Sequence, residues 1–582
     1  MKRCLVSSRD QVEVDRYIGT LTATKPLAGK PAAKRDGVPL LHEGGKTMTT
    51  LLNKLAKTAH TWNGAISYST TGFDKFGACL DYFAKAGTYV NRSQEQVDVD
   101  MTRIFSDDES VALSILFGLR LITRKPDVQG IEETQTGYGR RDEFYKSCVW
   151  LLENKPNLLY SNLHLIPVFG CWKDLMQKPL IDRLDREKVY ALVGNNLGDG
   201  LLRKYLPQIR SAKHARTDRD KKRIEWAKGL CRHLGISFAD YRRLKREGAG
   251  HIWQKQMTHG EWDRINFDGI PGKAMLRHTT QKGRDKQTVF ERHGQVERLR
   301  EWVLGQKTIK FTGYPYELTR QASGRKNPSL VQKLILDRQF ETVLEPMRGH
   351  GLGNTLACLD ISGSMTCEVV SGVSAYDICI SMGIAFSMLN TGYFSNTVCG
   401  FSDSPILAKL HGGMCDRLKY IETDSEFQRV AWGSTNFQGV IDLLVKTWKE
   451  NPDIPVEEYP ETLLVISDMQ FNPVGKNTKT NYETAMRKLK NVGLGEMRLI
   501  WWFVNGKGGD FPAQMDSKGC YIIGGFDPMN IKALMGLTST GQDAKKDFVA
   551  AEKKEETPLD GMMNFLRQPI FGLLNREQPS NQ

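Results

Sequence analysis

The sequence predicts two differently built parts: an all-α N-terminal part, a solenoid or ring of paired helices or, since no crisp repeat period is visible, an irregular helical domain, followed by a doubly wound α/β C-terminal domain. Two observations carry this reading. Near residue 350 the apolar residues change from a helical period to strand-length runs alternating with helices, and the charge changes sign at the same place. Residues 347–582 hold 22 Lys+Arg and 27 Asp+Glu, a net of −5, whereas residues 1–346 hold 59 and 40, a net of +19. At 582 residues, 40% hydrophobic and 25% charged, the chain has the composition of a globular protein too long for one core.

Residues 1–47 mix Lys, Pro, Gly and Thr without a sustained period and read as a poorly ordered basic arm. A better-patterned segment opens at Met48, so part of the arm could stem from a start-site choice. From 48 to 345 the pattern is helical. Residues 109–123 form a nearly all-apolar helix, with Asp107 and Asp108 ahead of it as cap and dipole partners. Shorter helical patterns follow at 141–154, 157–177, 179–194, 200–210, 222–234 and 292–304, with almost no strand alternation among them. Beyond 350 the spacing predicts strands at Thr355–Ile361, Asn396–Phe401, Thr462–Ser467, Arg498–Val504 and Cys520–Ile523. Helices are predicted at Tyr376–Leu389, Phe437–Trp448, Tyr482–Val492 and Met529–Met535. This α/β domain spans 350–540. A tail, 541–582, is charged at first and ends in an apolar segment, Met562 to Leu574, expected to pack back onto one of the domains.

The candidate chemistry lies at the ends of the predicted strands. Asp360-Ile361-Ser362-Gly363-Ser364 follows the first strand, offering a carboxylate and two hydroxyls in one turn. Thr435 adds a hydroxyl in a loop before a helix, and Asp468 adds a carboxylate at the end of a later strand. Hard divalent cations take such oxygen ligands, and the carboxyl edge of an open α/β sheet is where ligands bind. A lone DxSxS turn could be a simple helix cap, but three elements in this order are more specific. The constellation resembles the metal-ion-dependent adhesion site of the von Willebrand factor type A fold. That resemblance implies that Ser362, Ser364 and Thr435 touch the metal, with Asp360 and Asp468 acting directly or through water. It also implies one position left open for an oxygen, such as a carboxylate, from a protein partner. Magnesium is the expected cation; manganese accepts the same oxygen shell.

The basic half carries its densest charge at 213–246, with twelve Lys or Arg against four Asp or Glu. Lys213, Arg216, Arg219, Lys221, Lys222 and Arg223 form one group beside Trp226. Arg242, Arg243, Lys245 and Arg246 form another beside Tyr241. Cations with neighbouring aromatics can neutralise phosphates and stack on bases, although a solvated helix face has the same composition. Several short stretches resemble the Ro ribonucleoprotein (TROVE) family: Trp62-Asn63-Gly64-Ala65 with Tyr68, Ala86-Gly87-Thr88-Tyr89, Gly139-Arg140-Arg141-Asp142, Gly170-Cys171-Trp172-Lys173-Asp174-Leu175 and Trp262-Asp263-Arg264-Ile265 before Ile270-Pro271. The resemblance implies a ring of HEAT-like repeats fused to a type A domain. It also implies binding of small structured RNA on a basic outer surface and of single-stranded RNA ends through the ring.

The expected function is therefore an RNA scaffold or quality-control factor with a cation-dependent protein-binding module. The alternative is an assembly factor of another class, in which the helical part binds protein and the cation site engages a partner's carboxylate. No nucleophile–base pair accompanies the site, so no enzyme is expected. Gly349-x-Gly351-x-Gly353 precedes a strand and is not a dinucleotide loop, and Asn505-Gly506-Lys507-Gly508-Gly509 lacks the spacing of a phosphate loop. The eleven cysteines are dispersed without a CxxC pair, which suggests a reducing, cytoplasmic location, with Cys358 and Cys399 as core thiols. Neither a signal peptide nor a membrane span is expected. Oligomeric state is not legible.

Overall fold

The computed structural model describes residues 58–209, 217–248, 252–348, 354–475, 479–506, 510–536 and 556–576. The expected arm, 1–47, and the charged start of the tail lie outside them, as do the glycine runs at 349–353 and 507–509. From 77 to 347 the described chain is helical. Capping residues set many of its boundaries: Ser93 opens Gln94–Asp107 with a capping box, and Thr217 opens Asp218–Leu234, which Gly235 ends in the left-handed conformation. Of the two expected caps, Asp108 accepts from the Val111 amide and starts Glu109–Arg120. Asp107 instead accepts from Phe76 and Cys79, capping the neighbouring helix Gly77–Ala86. The expected helix 157–177 is broken into Pro156–Ser161, Ile166–Phe169 and short 3-10 turns. Pro167 and Gly170 explain the breaks, since neither residue propagates a helix well.

The C-terminal part is a doubly wound sheet. Its strands are β3 (Thr355–Asp360), β6 (Thr397–Phe401), β7 (Pro405–Lys409), β8 (Thr462–Ser467), β9 (Arg498–Phe503) and β10 (Cys520–Gly524). Four short strands lie outside it: β1 (Thr58–His60) with β2 (Ile66–Tyr68), and β4 (Glu368–Val370) with β5 (Val373–Ser374). The sheet order is β7-β6-β3-β8-β9-β10, and every pair is parallel except β6 with β7. The chain starts in the middle, winds outward to β7, and returns to β8 on the other side of β3. The strand order thus reverses between β3 and β8, which opens a crevice at their carboxyl ends. All six residues of β3 and of β8 are buried, as expected of parallel strands covered on both faces. Strand β7 escaped the sequence reading because it is a short, half-buried edge that opens on a proline.

One face of this sheet shares a continuous core with the helical part. Ala357 and Leu359 of β3 belong to the same cluster as Phe83, Leu116 and Phe144, whereas Leu356 and Cys358 face the opposite cluster. Cys358 and Cys399 are fully buried thiols, paired across β3 and β6. The apolar end of the tail forms the helix Pro558–Leu566, which packs on β10 and on Gly77–Ala86. Its Phe565 stacks on Tyr138 at 5.4 Å and meets Phe83 edge-on at 5.3 Å.

The joint is tight where Gly87 meets the loop after β10. A Cβ on Gly87 would lie 2.2 Å from the Gly524 carbonyl oxygen and 2.7 Å from Gly525 Cα. Both obstacles are backbone, so Gly87→Ala should cost about 1–3 kcal/mol of stability. Chemical denaturation checks this; an unchanged midpoint would mean that the joint gives way freely.

A buried polar network fastens the same joint. The Thr123 hydroxyl donates to Asp527 at 2.7 Å, and Thr136 donates to Asn530 at 2.6 Å. Gln568 brackets the Thr136 peptide, accepting from its amide and donating to its carbonyl. Burial pushes the Asp527 carboxyl up to about 6. Its folded value exceeds its unfolded one, so its stabilising contribution is complete below about pH 4 and is lost as pH rises through about 6. Asp527→Asn should flatten that part of the stability–pH curve, by roughly 3 kcal/mol at full ionisation. Denaturant titrations at pH 4 and pH 7.5 measure it, and parallel curves for both proteins would refute it.

Candidate metal centre

The five oxygen-bearing residues come together at the crevice between β3 and β8. Asp360 ends β3 and is fully buried. Its Oδ1 accepts from the Ser362 amide at 3.0 Å, the short-range turn that a DxS sequence favours. Its Oδ2 accepts from the Ser467 hydroxyl. Parallel pairing sets Leu359 opposite Ile466, which carries Asp468 to the same edge as Asp360. The Ser362 and Ser364 hydroxyls lie 3.1 Å apart, and Ser364 hydrogen-bonds Asp468. Thr435 arrives on the loop between the helices Ser425–Val430 and Phe437–Glu450. That loop is stitched to the DxSxS turn by Trp432 N–Ile361 O (2.7 Å) and Gly363 N–Gly433 O (3.0 Å). Ser362 and Thr435 are each 1% exposed, Asp468 is 7% exposed, and Ser364 faces solvent.

Burial, with the charge of Asp468 added, pushes the Asp360 carboxyl up to about 7. Burial likewise raises Asp468, to which Asp510 adds a further repulsive charge. Adjacent buried carboxylates are costly unless a proton or cation compensates them. With three hydroxyls and no nitrogen or sulfur in the set, the donors fit a hard divalent cation. Among the described residues no cluster of three or more His, Cys, Asp or Glu provides a softer metal site.

Several participants were not legible as site residues. Ser467 and Asp510 join the carboxylates, and Asp403 accepts from the Ser434 amide at 2.9 Å, bracing the Thr435 loop. The most remote is Asn63, in the turn between β1 and β2. Its Nδ2 donates to the Gln470 carbonyl at 2.5 Å and lies 3.5 Å from Thr435 Oγ1. Thr61 donates to the Phe471 carbonyl, and the Trp62 amide donates to the Gln470 side chain. Gln470 in turn donates to Asp510, as does Ser67 of β2. Trp62 stands 92% exposed on this rim, and Trp432, held at φ 74°, is 47% exposed. Pairing registers cannot be read from an isolated Trp-Asn-Gly, so only the folded chain reveals this contact.

The basic cluster is placed differently from expectation. Lys213 and Arg216 lie outside the described residues. Arg219, Lys221 and Lys222 are exposed on the helix Asp218–Leu234, and Arg242, Arg243 and Arg246 are exposed on Phe238–Glu247. Many are already engaged: Lys222 pairs with Asp182, Lys221 with Asp218, Arg243 with Asp240, and Arg219 bonds Gln177. Arg223 and Lys245 are half-buried, and desolvation lowers both. The expectation that Trp226 and Tyr241 stack on bases is corrected: they are 2% and 1% exposed. Trp226 packs on Tyr190, and Tyr241 donates to the Pro207 carbonyl. Aromatics at helical spacing served the core here.

The C-terminal part is thus a doubly wound α/β domain with an oxygen-rich cluster at its topological switch point. Residues 354–566 match the model of a family described as a domain of unknown function (DUF7788). No curated protein matches the chain. Among solved structures, the chain is similar to the Ro (RSR) protein of Deinococcus radiodurans. The two are 13% identical over 84% of this chain and 93% of that one, with a TM-score of 0.29. At that score the functional reading rests on this chain's own residues.

Replacing Asn63 by Ala should release the β1–β2 turn without unfolding the sheet. Losing its bond to Gln470 should speed amide exchange across 58–68 about tenfold, equivalent to roughly 1–1.5 kcal/mol. Hydrogen–deuterium exchange read by mass spectrometry tests this, and unchanged exchange in 58–68 would contradict it.

Proposed function

We propose that this protein is a two-part binding protein: the α/β part uses a divalent cation to engage a protein partner, and the basic helical part holds RNA. The buried Asp360–Asp468 pair at the switch point, ringed by Ser362, Ser364 and Thr435, carries the first half of the reading. Those five residues would hold magnesium or manganese, and the bound cation would supply a Lewis-acidic position for a partner's carboxylate. This chain's own groups do the rest. Ser467 and the Ser362 amide orient Asp360, Gln470 and Ser364 orient Asp468, and Asn63 steadies the Thr435 side. No reaction is assigned to the site, which acts by binding.

For the helical part, the excess of +19 over residues 1–346 and the exposed cations of 219–246 support a polyanion. No described helix is long and apolar enough to cross a membrane. The second reading, in which the helices engage a protein and RNA is irrelevant, gains from the burial of Trp226 and Tyr241, which removes the stacking surface from that cluster. Charge reversal of Lys221, Lys222 and Arg223 to Glu separates the two. On the RNA reading it weakens salt-sensitive RNA binding at least tenfold; unchanged binding removes the cluster from the site.

The cation half has its own test. Magnesium at about a hundredfold excess over its Kd should stabilise the wild-type protein by roughly 2–3 kcal/mol, and Asp360→Ala should abolish the gain. Melting with magnesium and with EDTA reads the difference. Equal melting curves for the wild-type protein in both would count against the cation reading.

A further inference from the structure

Away from the cation site, the helical part contains an open cleft of about 810 Å³. It lies between the helices Ile252–His259 and Gly272–Thr280, with Lys204 of Gly200–Tyr205 at its mouth. Helical spacing builds each wall. On one side the half-buried Met257 presents apolar surface beside its i,i+4 neighbour Trp253, which is itself buried at 6% exposure, and the half-buried Ala274 lines the other. Lys273 and Arg277, also i,i+4, place cations along the rim with Lys204. No acidic residue lines the cleft. Lys273 is paired with Glu317 at 2.8 Å, whereas Arg277 is exposed and makes no ion pair among the described residues.

The polar side chains inside are of a kind that reads base edges. On one wall Gln254 offers a donor and an acceptor, and Thr258, whose hydroxyl donates to the Gln254 carbonyl at 2.8 Å, offers an acceptor. His278 sits opposite, its ring 5.7 Å from that of Trp253 and edge-on to it. Burial, and then the neighbouring Arg277 charge, lower the His278 imidazole below its usual range, which favours its neutral form. The cleft also adjoins the second basic helix, because Lys245 donates to the Lys204 carbonyl at 2.9 Å. A strand lying across the exposed cations of Phe238–Glu247 would therefore be led to the mouth at Lys204.

We propose that this cleft is a nucleotide-binding pocket for single-stranded RNA, with a base on the Met257–Ala274 floor, backed by the buried Trp253, and its phosphates on Lys204 and Arg277. The volume suits an unstacked nucleotide, and an apolar floor under a cationic rim is the pairing that single-stranded nucleic acid requires. This assignment rests on the reading that the helical part holds RNA and names where a base is taken up.

The full chain, titrated against a short fluorescein-labelled oligouridine, provides the test. Wild-type binding at low salt is the first requirement, and its absence would sink the RNA reading itself. Given binding, K204E combined with R277E should weaken it at least tenfold and reduce the slope of log K against log salt by about one to two. The milder Arg277→Gln, on an exposed side chain, should give a smaller loss with an unchanged melting temperature. Ultraviolet crosslinking should mark peptides containing Trp253 or His278. Wild-type affinity in the double variant, or crosslinks confined to other helices, would overturn the assignment. So would polyglutamate of equal charge competing as well as RNA, since the cleft would then be a plain anion surface.

Discussion

A parallel sheet has to be covered on both faces, and that requirement organises the whole described chain. The strands β3, β8, β9 and β10 carry buried side chains on both sides, so neither face tolerates water. One face is closed by helices of the α/β part itself, among them Phe437–Glu450 and Asn481–Lys490. On the other, Ala375–Ser387 is joined by Gly77–Ala86, by Pro315–Ala322 and by the returning tail helix. The helical part is consequently half of the sheet's cover as well as a separate basic body. Gly87 permits a close approach, and the Thr123–Asp527–Asn530–Thr136 network pairs the hydroxyls and acceptor oxygens that the joint buries, leaving Asn530 Nδ2 without a hydrogen-bond partner among the described residues.

Much of the α/β part was legible because its signals are local and redundant. Every predicted strand is present within one or two residues, since each is a short apolar run bounded by turn residues. The Asp-x-Ser-x-Ser turn follows its strand directly, so its position at the sheet edge could be stated before any coordinates. Thr435 and Asp468 were legible for the same reason, each standing at the carboxyl end of an apolar run or just ahead of a helix. The structure places all five in one crevice because β3 and β8 are neighbours, a pairing that the doubly wound order dictates.

What escaped the sequence is non-local. Strand β7 is an edge with little burial, so its alternation is weak. Asp107 looked like the second cap of its own helix and instead caps another, a choice settled only by packing. Trp226 and Tyr241 sit among cations in sequence while pointing into the core, because a helix turns its residues through a full circle every four positions. The Lys204–Arg277 cleft gathers residues from three helices, none of which is unusual in isolation. Charge density along the chain therefore separated the two halves of the molecule without resolving their surfaces.

The β1–β2 turn gives the Asp360–Asp468 crevice a property of ownership. Asn63 reaches Thr435 across 372 positions of sequence, and its neighbours hold the loops of Asp468 and Asp510. The stretch that matches the family model, 354–566, includes all five oxygen-bearing residues of the crevice but none of the braces from the β1–β2 turn. In modular terms, the crevice and its N-terminal brace form one unit of structure although they lie far apart in sequence. A transplanted 354–566 segment would carry the five residues into a new protein and leave the far wall of their crevice behind.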